Sequence, residues 1–201
     1  MQKLLLGTRN QGKQDELLAL LSNLPLEIFT PQQMGIDIQV EETGTTYSEN
    51  AGLKAVAYAA QSGLWSLSDD SGLEVELLDG APGLRSARLG GKGNSDAERR
   101  RLLLEMLEEH SRPWDARFRA TMCLARPSGD IEFAVGQCAG EIIPEERGMG
   151  GFGYDRIFLI HELGKTMAEL GMDEKNQISH RARAIMALRP ALEARLGLAK
   201  G

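Results

Sequence analysis

The 201-residue chain is 42% hydrophobic and 26% charged, the balance of an ordinary globular protein of one domain with at most two lobes. Its 29 Asp and Glu outnumber 23 Lys and Arg, giving a net charge of −6, which argues against bulk nucleic-acid binding because that function wants a basic field. Met1 to Leu6 is too short an apolar run for a signal peptide and nothing later spans a membrane. A cytoplasmic protein with no nucleic-acid or membrane partner is expected.

Leu4-Leu5-Leu6 reads as a buried first strand, Gly7 to Gly12 as a polar loop, and Lys13 to Ser22 as a helix with Leu17, Leu18 and Leu21 inward. Leu26 to Phe29 is a second strand, and residues 31–45 are irregular. Thr46 and Glu49 form a capping box for a helix that Gly63 closes, with Leu53, Val56, Ala57 and Ala60 as its expected buried face. A strand-like run from Leu64 stops on Asp69-Asp70-Ser71-Gly72, read as a turn. Beyond it Leu73, Val75 and Leu77 alternate with Glu74 and Glu76 as a half-buried strand. Residues 84–94, rich in glycine with Arg85, Arg88 and Lys92, read as a mobile loop.

Ser95 and Glu98 cap a further helix running to about His110. Phe118, Ala120, Met122 and Leu124 alternate inward, and Pro127 to Asp130 turns the chain into a strand from Ile131 to Ile143. In that hairpin Cys123 lies opposite about residue 133, so Cys123 and Cys138 do not face each other and stay reduced. Ile157 to Ile160 is another strand, residues 166–178 are mostly polar, and a last helix starts at Ser179 with Pro190 inside it. The hairpin makes the fold mixed α/β rather than strictly βαβ, and one core accounts for the apolar faces.

Four stretches carry chemistry. Gly7-Thr8-Arg9-Asn10-Gln11-Gly12-Lys13-Gln14 nearly spells the phosphate-binding loop, but the metal-binding Ser/Thr is replaced by Gln14. Any metal must then be held by the spare carboxylates Glu41, Glu42, Asp69 and Asp70, since hard cations need one or two of these plus substrate phosphates. Gly150 to Asp155 sets Phe152 and Tyr154 among glycines, suited to stacking a purine or to a tight turn that buries its aromatics. Lys175, His180 and Arg181 gather cationic groups before a helix, where they would neutralise phosphate charge.

In their order along nearly the whole chain these motifs resemble the inosine/xanthosine triphosphate pyrophosphatases. The matching segments are Thr8 to Lys13, Glu41 to Gly44, Glu49-Asn50-Ala51 with Lys54, Ser68 to Gly72, Gly80 to Gly83 with Ser86-Ala87-Arg88, Gly150 to Asp155, and Glu174 to Arg181. The resemblance implies a single domain over residues 1–201. It would be a curved mixed sheet with flanking helices forming two lobes around a central nucleotide cleft, assembled as a homodimer. It implies Mg²⁺-dependent hydrolysis of ITP, dITP and XTP to monophosphate and pyrophosphate.

Carried over residue by residue, Thr8, Arg9, Asn10, Gln11, Gly12, Lys13 and Lys54 would hold the triphosphate. Asp70 would be metal ligand and general base, helped by Glu41 and Asp69, with Ser71 near the substrate. Phe152, Gly153, Tyr154 and Asp155 would hold the base, and Lys175, His180 and Arg181 would complete the pocket. Backbone N–H groups near His180-Arg181 or the Phe152 turn are the expected readers of the 6-oxo group. Arg156, Met149 and Ala182 depart from the family's usual proline, threonine and glycine. The competing readings are a P-loop ATPase or kinase, which would need Ser or Thr in place of Gln14, a nucleotide sensor without catalysis, and a pyrophosphatase for modified pyrimidine nucleotides.

Overall fold

A computed structural model describes residues 1–198. Its strands are β1 (Gln2–Leu6), β2 (Leu26–Phe29), β3 (Trp65–Val75), β4 (Trp114–Ala125), β5 (Ile131–Ile142), β6 (Phe158–Ile160) and β7 (Lys165–Thr166). Its helices are α1 (Gln11–Leu21), α2 (Tyr47–Ser62), α3 (Asp96–Leu107), α4 (Met172–Ile178) and α5 (His180–Leu196). The strands form one sheet in the order β2-β1-β3-β4-β5-β6-β7. β1 runs parallel to β2 and β3, whereas β6 runs antiparallel to β5 and β7, so the fold is the expected mixed α/β type. No helix among the described residues is long and apolar enough to cross a membrane.

The chain divides into two compact units. Among the described residues, unit 1 comprises Met1–Asp70, Ala120–Gly136 and 180–198, and unit 2 comprises Ser71–Arg119 and Gln137–Ser179. The buried side chains form separate clusters rather than one core. In unit 1, Leu4, Leu6, Leu17, Leu67, Met122, Ile185 and Leu188 pack together, and a small-residue cluster joins Ala51, Ala55 and Ala59 to Cys123 and Ala125. In unit 2, Leu73, Leu103, Phe118, Ile157 and Phe158 form the apolar centre.

Both capping boxes form. Thr46 caps α2 and Ser95 caps α3, each accepting from the amide three residues on, and Gly63 ends α2 at φ 69°, a conformation that glycine adopts without steric cost. Other expectations are corrected. α1 starts at Gln11 rather than Lys13, because the Asn10 side chain caps it by accepting from the Lys13 amide. α2 is rotated from its expected face: Ala51, Ala55, Tyr58 and Ala59 are buried while Leu53 and Val56 are 42% and 40% exposed. Close approach to Cys123 and Ala125 favours alanine there over larger side chains.

β3 does not turn at Asp69-Asp70 but runs through both as an extended strand. It ends at Val75, so Leu77 falls in a 3-10 turn (Glu76–Leu78) and is exposed. The expected mobile loop, residues 84–94, begins instead within another 3-10 turn (Gly83–Arg88) pinned by buried Ser86. Its hydroxyl accepts from the Leu73 amide at 2.9 Å and donates to the Gly83 carbonyl at 2.6 Å. The polar stretch 166–178 hides α4.

At the hairpin the Arg126 amide donates to Asp130, a pairing that carried along the strands sets Cys123 opposite Phe133, as expected. Both cysteines are buried thiols outside any disulfide, and burial pushes Cys123 up to about 12, far from the thiolate needed for reactivity. Ile131, Phe133 and Val135 are exposed along with Leu53 and Val56, so unit 1 keeps apolar side chains outside its core. The rotated face of α2 yields a prediction. In urea denaturation Ala55→Leu should cost about 1–3 kcal/mol through overpacking, whereas Leu53→Ala should stay within about 0.5 kcal/mol. The opposite ranking would contradict this packing.

Candidate active site

In unit 1 the site is built on four elements: the start of α1, the first half of α2, the middle of β3 and the first turn of α5. The segment joining β1 to α1 is short and fully braced. The Gly7 amide donates to the Leu67 carbonyl at 2.7 Å and the Thr8 amide to the Leu6 carbonyl at 2.9 Å. Gly7 has no room for a side chain, since a Cβ would collide with the Ser68 hydroxyl. Gln14, in the position of a P-loop's metal-binding hydroxyl, is buried and donates to the Thr8 carbonyl at 2.7 Å. It braces the turn and supplies no metal ligand, which removes the chemical basis of the P-loop reading.

Adjacent residues on a strand point to opposite faces, and β3 sends Asp69 and Asp70 apart. Asp69 is fully buried. Its Oδ2 lies 3.1 Å from Lys13 Nζ and accepts from Arg181 Nε at 3.0 Å, while its Oδ1 has no hydrogen-bond partner among the described residues. Burial alone would raise its pKa, but Lys13, Arg181 and Lys54 outweigh burial and hold it well below the usual carboxylate range. Arg181 also donates from Nη1 to Glu16 at 2.8 Å, so Glu16, Arg181, Asp69 and Lys13 form a buried chain of alternating charge. Burial lowers the Lys13 pKa, with Asp69 opposing it. His180, the residue before Arg181, is buried as well.

Asp70 is nearly buried on the other side of β3. Its Oδ2 accepts from Asn50 Nδ2 at 3.1 Å and its Oδ1 lies 3.6 Å from Lys54 Nζ. Burial raises its pKa, Lys54 and Lys13 oppose, and Glu42 adds to the rise. Lys54 in turn hydrogen-bonds Glu42, and despite burial its pKa is raised by Asp70, Asp69 and Glu42. Two acidic groups and a lysine thus share one spot.

Several expected site residues make contacts of their own. Of the acidic pair it is Glu42, not Glu41, that meets Lys54; Glu41 is exposed. Arg9 forms an exposed ion pair with Asp37 at 2.8 Å, and Gln11 donates to Asp15 along α1 at 2.7 Å. Asn10 serves as the helix cap. No group of three or more His, Cys, Asp or Glu side chains is placed to hold a metal among the described residues.

Unit 2 holds the glycine-rich turn. Asp155 accepts from the Phe152 amide at 3.0 Å and from Lys175 Nζ at 2.7 Å, both on Oδ2. Gly151, at φ 69°, leaves room for that carboxylate, because a Cβ there would strike it. Lys175, 5% exposed, also lies 5.5 Å from the Phe152 ring centre. Asp96 accepts from the Gly153 amide at 2.6 Å, and Arg100 donates to the Gly153 carbonyl at 2.8 Å. Tyr154 is 3% exposed in the apolar cluster and donates to the Ser86 carbonyl at 2.9 Å. Ser71 follows Asp70 on β3 and is half-buried.

The departures from the family pattern lie beside these contacts. Arg156 is 3.6 Å from Glu146, which also accepts from Nε and Nη2 of Arg100. Met149 is 84% exposed, and Ala182 is buried in α5. Reading the sequence missed Glu16, Asp96 and Arg100, and it gave no role to Asn50 and Ser86, which lie in the matching segments. Asn50 carried a signal, as a poor helix former one turn inside a well-capped helix.

A model of the Ham1 family matches residues 4–191. A dITP/XTP pyrophosphatase of Exiguobacterium sibiricum is 46% identical over 97% of the chain and 99% of that relative. A protein of the same name from a Synechococcus strain is 48% identical over 94% of the chain and 89% of the relative. A solved HAM1 protein structure from Coxiella burnetii superposes with a TM-score of 0.86 at 38% identity, covering 96% of the chain and 100% of that protein.

The buried charge chain predicts unequal costs for two arginines. Arg181→Met, which removes a buried cationic partner of both Asp69 and Glu16, should cost about 3–5 kcal/mol in chemical denaturation. Arg9→Ala, which removes an exposed pair, should cost less than about 1 kcal/mol. Equal effects would contradict the burial and pairing described.

Proposed function

The chain belongs to the Ham1 family, and we propose that it hydrolyses deaminated purine nucleoside triphosphates (ITP, dITP and XTP) to the monophosphate and pyrophosphate. The observation that carries this is Asp70. It is a strand carboxylate with its proton affinity raised by burial, one oxygen held by Asn50, and Lys54 at the other. Such a group accepts a proton from water near neutral pH better than a solvated carboxylate does. A cleansing role in the nucleotide pool, in the cytoplasm, follows from the substrate class.

Thr8, Lys13, Lys54 and the first turn of α1 are the triphosphate contacts in this proposal. Helix N-termini and ammonium groups both attract phosphate. Arg9, Asn10, Gln11 and Gly12 belong to the same turn, with Asn10 shaping it as the cap. Phe152 offers its ring to the purine and Gly153 its backbone, while Asp155, Lys175 and buried Tyr154 hold that turn in shape. Ser71 and His180 complete the set. The 6-oxo group is read by backbone N–H donors near His180-Arg181 or the Phe152 turn.

The cation proposed is Mg²⁺, and the residues fit one. Asp70 and Glu42 set two acidic groups beside the one ammonium of Lys54, and Glu42 adds negative charge to the surroundings of Asp70. A hard cation that keeps waters and phosphate oxygens needs only one or two such groups. Asp70 would hold it, with Asp69 and the Glu41-Glu42 pair as the neighbouring carboxylates. When bound it would spread the charge of the triphosphate and of the departing pyrophosphate.

In the reaction Asp70 takes the proton of the water that attacks phosphorus, in line with the leaving pyrophosphate. Lys13 and Lys54 stay charged against the phosphate oxygens, and the buried Asp69–Arg181 pair keeps Lys13 in place. A homodimer is part of the same proposal, and the exposed Leu53, Val56, Ile131, Phe133 and Val135 of unit 1 offer it apolar surface. Light scattering reads the stoichiometry, and a monomer at micromolar concentration would contradict it.

Asp70→Asn should abolish ITP turnover while a non-hydrolysable ITP analogue still binds. Near-normal turnover in that variant would overturn the assignment of the base. Lys13→Ala should raise KM far more than it lowers kcat, and an unchanged KM would move Lys13 off the triphosphate.

A further inference from the structure

We propose that Asn50 is the positioning residue of this site, holding one oxygen of Asp70 and tying that carboxylate to the segment that carries Glu42. The inference rests on the reading of Asp70 as the base. Asn50 is 1% exposed, so water cannot stand in for its partners. It lies one helical turn before Lys54 on α2, and residues four apart share a helix face. That face gives Asp70 two different neighbours: the Asn50 amide on Oδ2 at 3.1 Å and the Lys54 ammonium 3.6 Å from Oδ1.

The other end of the amide is used too. Asn50 Oδ1 accepts from the Gly44 amide at 2.8 Å. The orientation of the side chain is therefore settled by chemistry. Turned over, it would set an acceptor against the Asp70 carboxylate and a donor against the Gly44 N–H. Gly44 suits this contact because it has no side chain. A Cβ there would lie 2.7 Å from Asn50 Oδ1 and 2.6 Å from Glu49 Cβ. Two residues before Gly44, Glu42 hydrogen-bonds Lys54. One buried amide thus registers the Glu42 segment against the carboxylate that does the chemistry.

The role requires a donor and an acceptor on one short side chain. Aspartate would turn a carboxylate toward Asp70, and alanine would leave the Gly44 N–H and Asp70 Oδ2 unmatched. With Oδ2 held by a neutral donor, the plane of the Asp70 carboxylate is set and Oδ1 is left on the side of Lys54. Groups that orient a reacting carboxylate in this way are typically worth about 10–100-fold in activity.

The test measures kcat and KM for ITP, together with the affinity for a non-hydrolysable ITP analogue, in wild type and in Asn50→Ala, Asn50→Asp and Asp70→Asn. Asn50→Ala should lower kcat by about 10–100-fold with analogue affinity and KM within about 3-fold of wild type. Asn50→Asp should lie lower still. If Asn50→Ala does not fold, as judged by circular dichroism, Gly44→Ala disturbs the same amide from its far side. It should likewise lower kcat at unchanged analogue affinity. A kcat within about 3-fold of wild type, or affinity and kcat falling together, would overturn the inference. An active Asp70→Asn would instead overturn the reading of the base, so the two failures are distinct.

Discussion

Asp69 has no contact with solvent, yet Lys13 from α1 and Arg181 from α5 meet on one of its oxygens and keep it charged. A lone charge in that position would be costly by several kcal/mol, so the three elements stay together only as a matched set. Arg181 passes the constraint on to Glu16, closing α1 against α5 a second time. The result aims its neighbour. Because residues alternate along a strand, anchoring Asp69 on one face of β3 sends Asp70 to the other, toward Asn50 and Lys54. A structural ion pair and a reactive carboxylate are thus one residue apart and have opposite proton affinities, Asp69 lowered and Asp70 raised.

What was legible in the sequence is what local chemistry decides. Thr46 with Glu49 and Ser95 with Glu98 are reciprocal hydrogen bonds within one turn, and both form where the residue types suggest. The alternation of Phe118, Ala120, Met122 and Leu124 is likewise local, and all four are buried. The face of α2 was not legible, since Ala55 and Ala59 win burial over Leu53 only because Cys123 and Ala125 stand opposite. The run Asp-Asp-Ser-Gly looks like a turn by residue preference, but the strand continues once Lys13, Arg181, Asn50 and Lys54 satisfy the two carboxylates. Those partners lie far away in the chain, 112 residues for Arg181 to Asp69 and 20 for Asn50 to Asp70, beyond the reach of a turn's local pattern.

In unit 2 the glycine-rich turn was visible, but not the division of labour inside it. Tyr154 and Phe152 look equivalent as neighbouring aromatics, yet one is sunk in the apolar cluster with its hydroxyl on Ser86 and the other stays half-buried beside Lys175. Asp155 reads as a ligand group in the sequence and proves to be the buckle of its own turn. Lys175 reaches it from α4, a helix of seven residues too polar for a hydrophobic period to reveal. The identity of the turn is therefore local, while its rigidity comes from Asp96, Arg100 and Lys175 elsewhere in the unit.

The most direct measurement is chromatographic analysis of the products formed from ITP, XTP, ATP and GTP, each with and without Mg²⁺. This account predicts monophosphate and pyrophosphate from ITP and XTP only when Mg²⁺ is present, with ATP and GTP nearly untouched. Orthophosphate and diphosphate as products, or equal turnover of all four nucleotides, would contradict it.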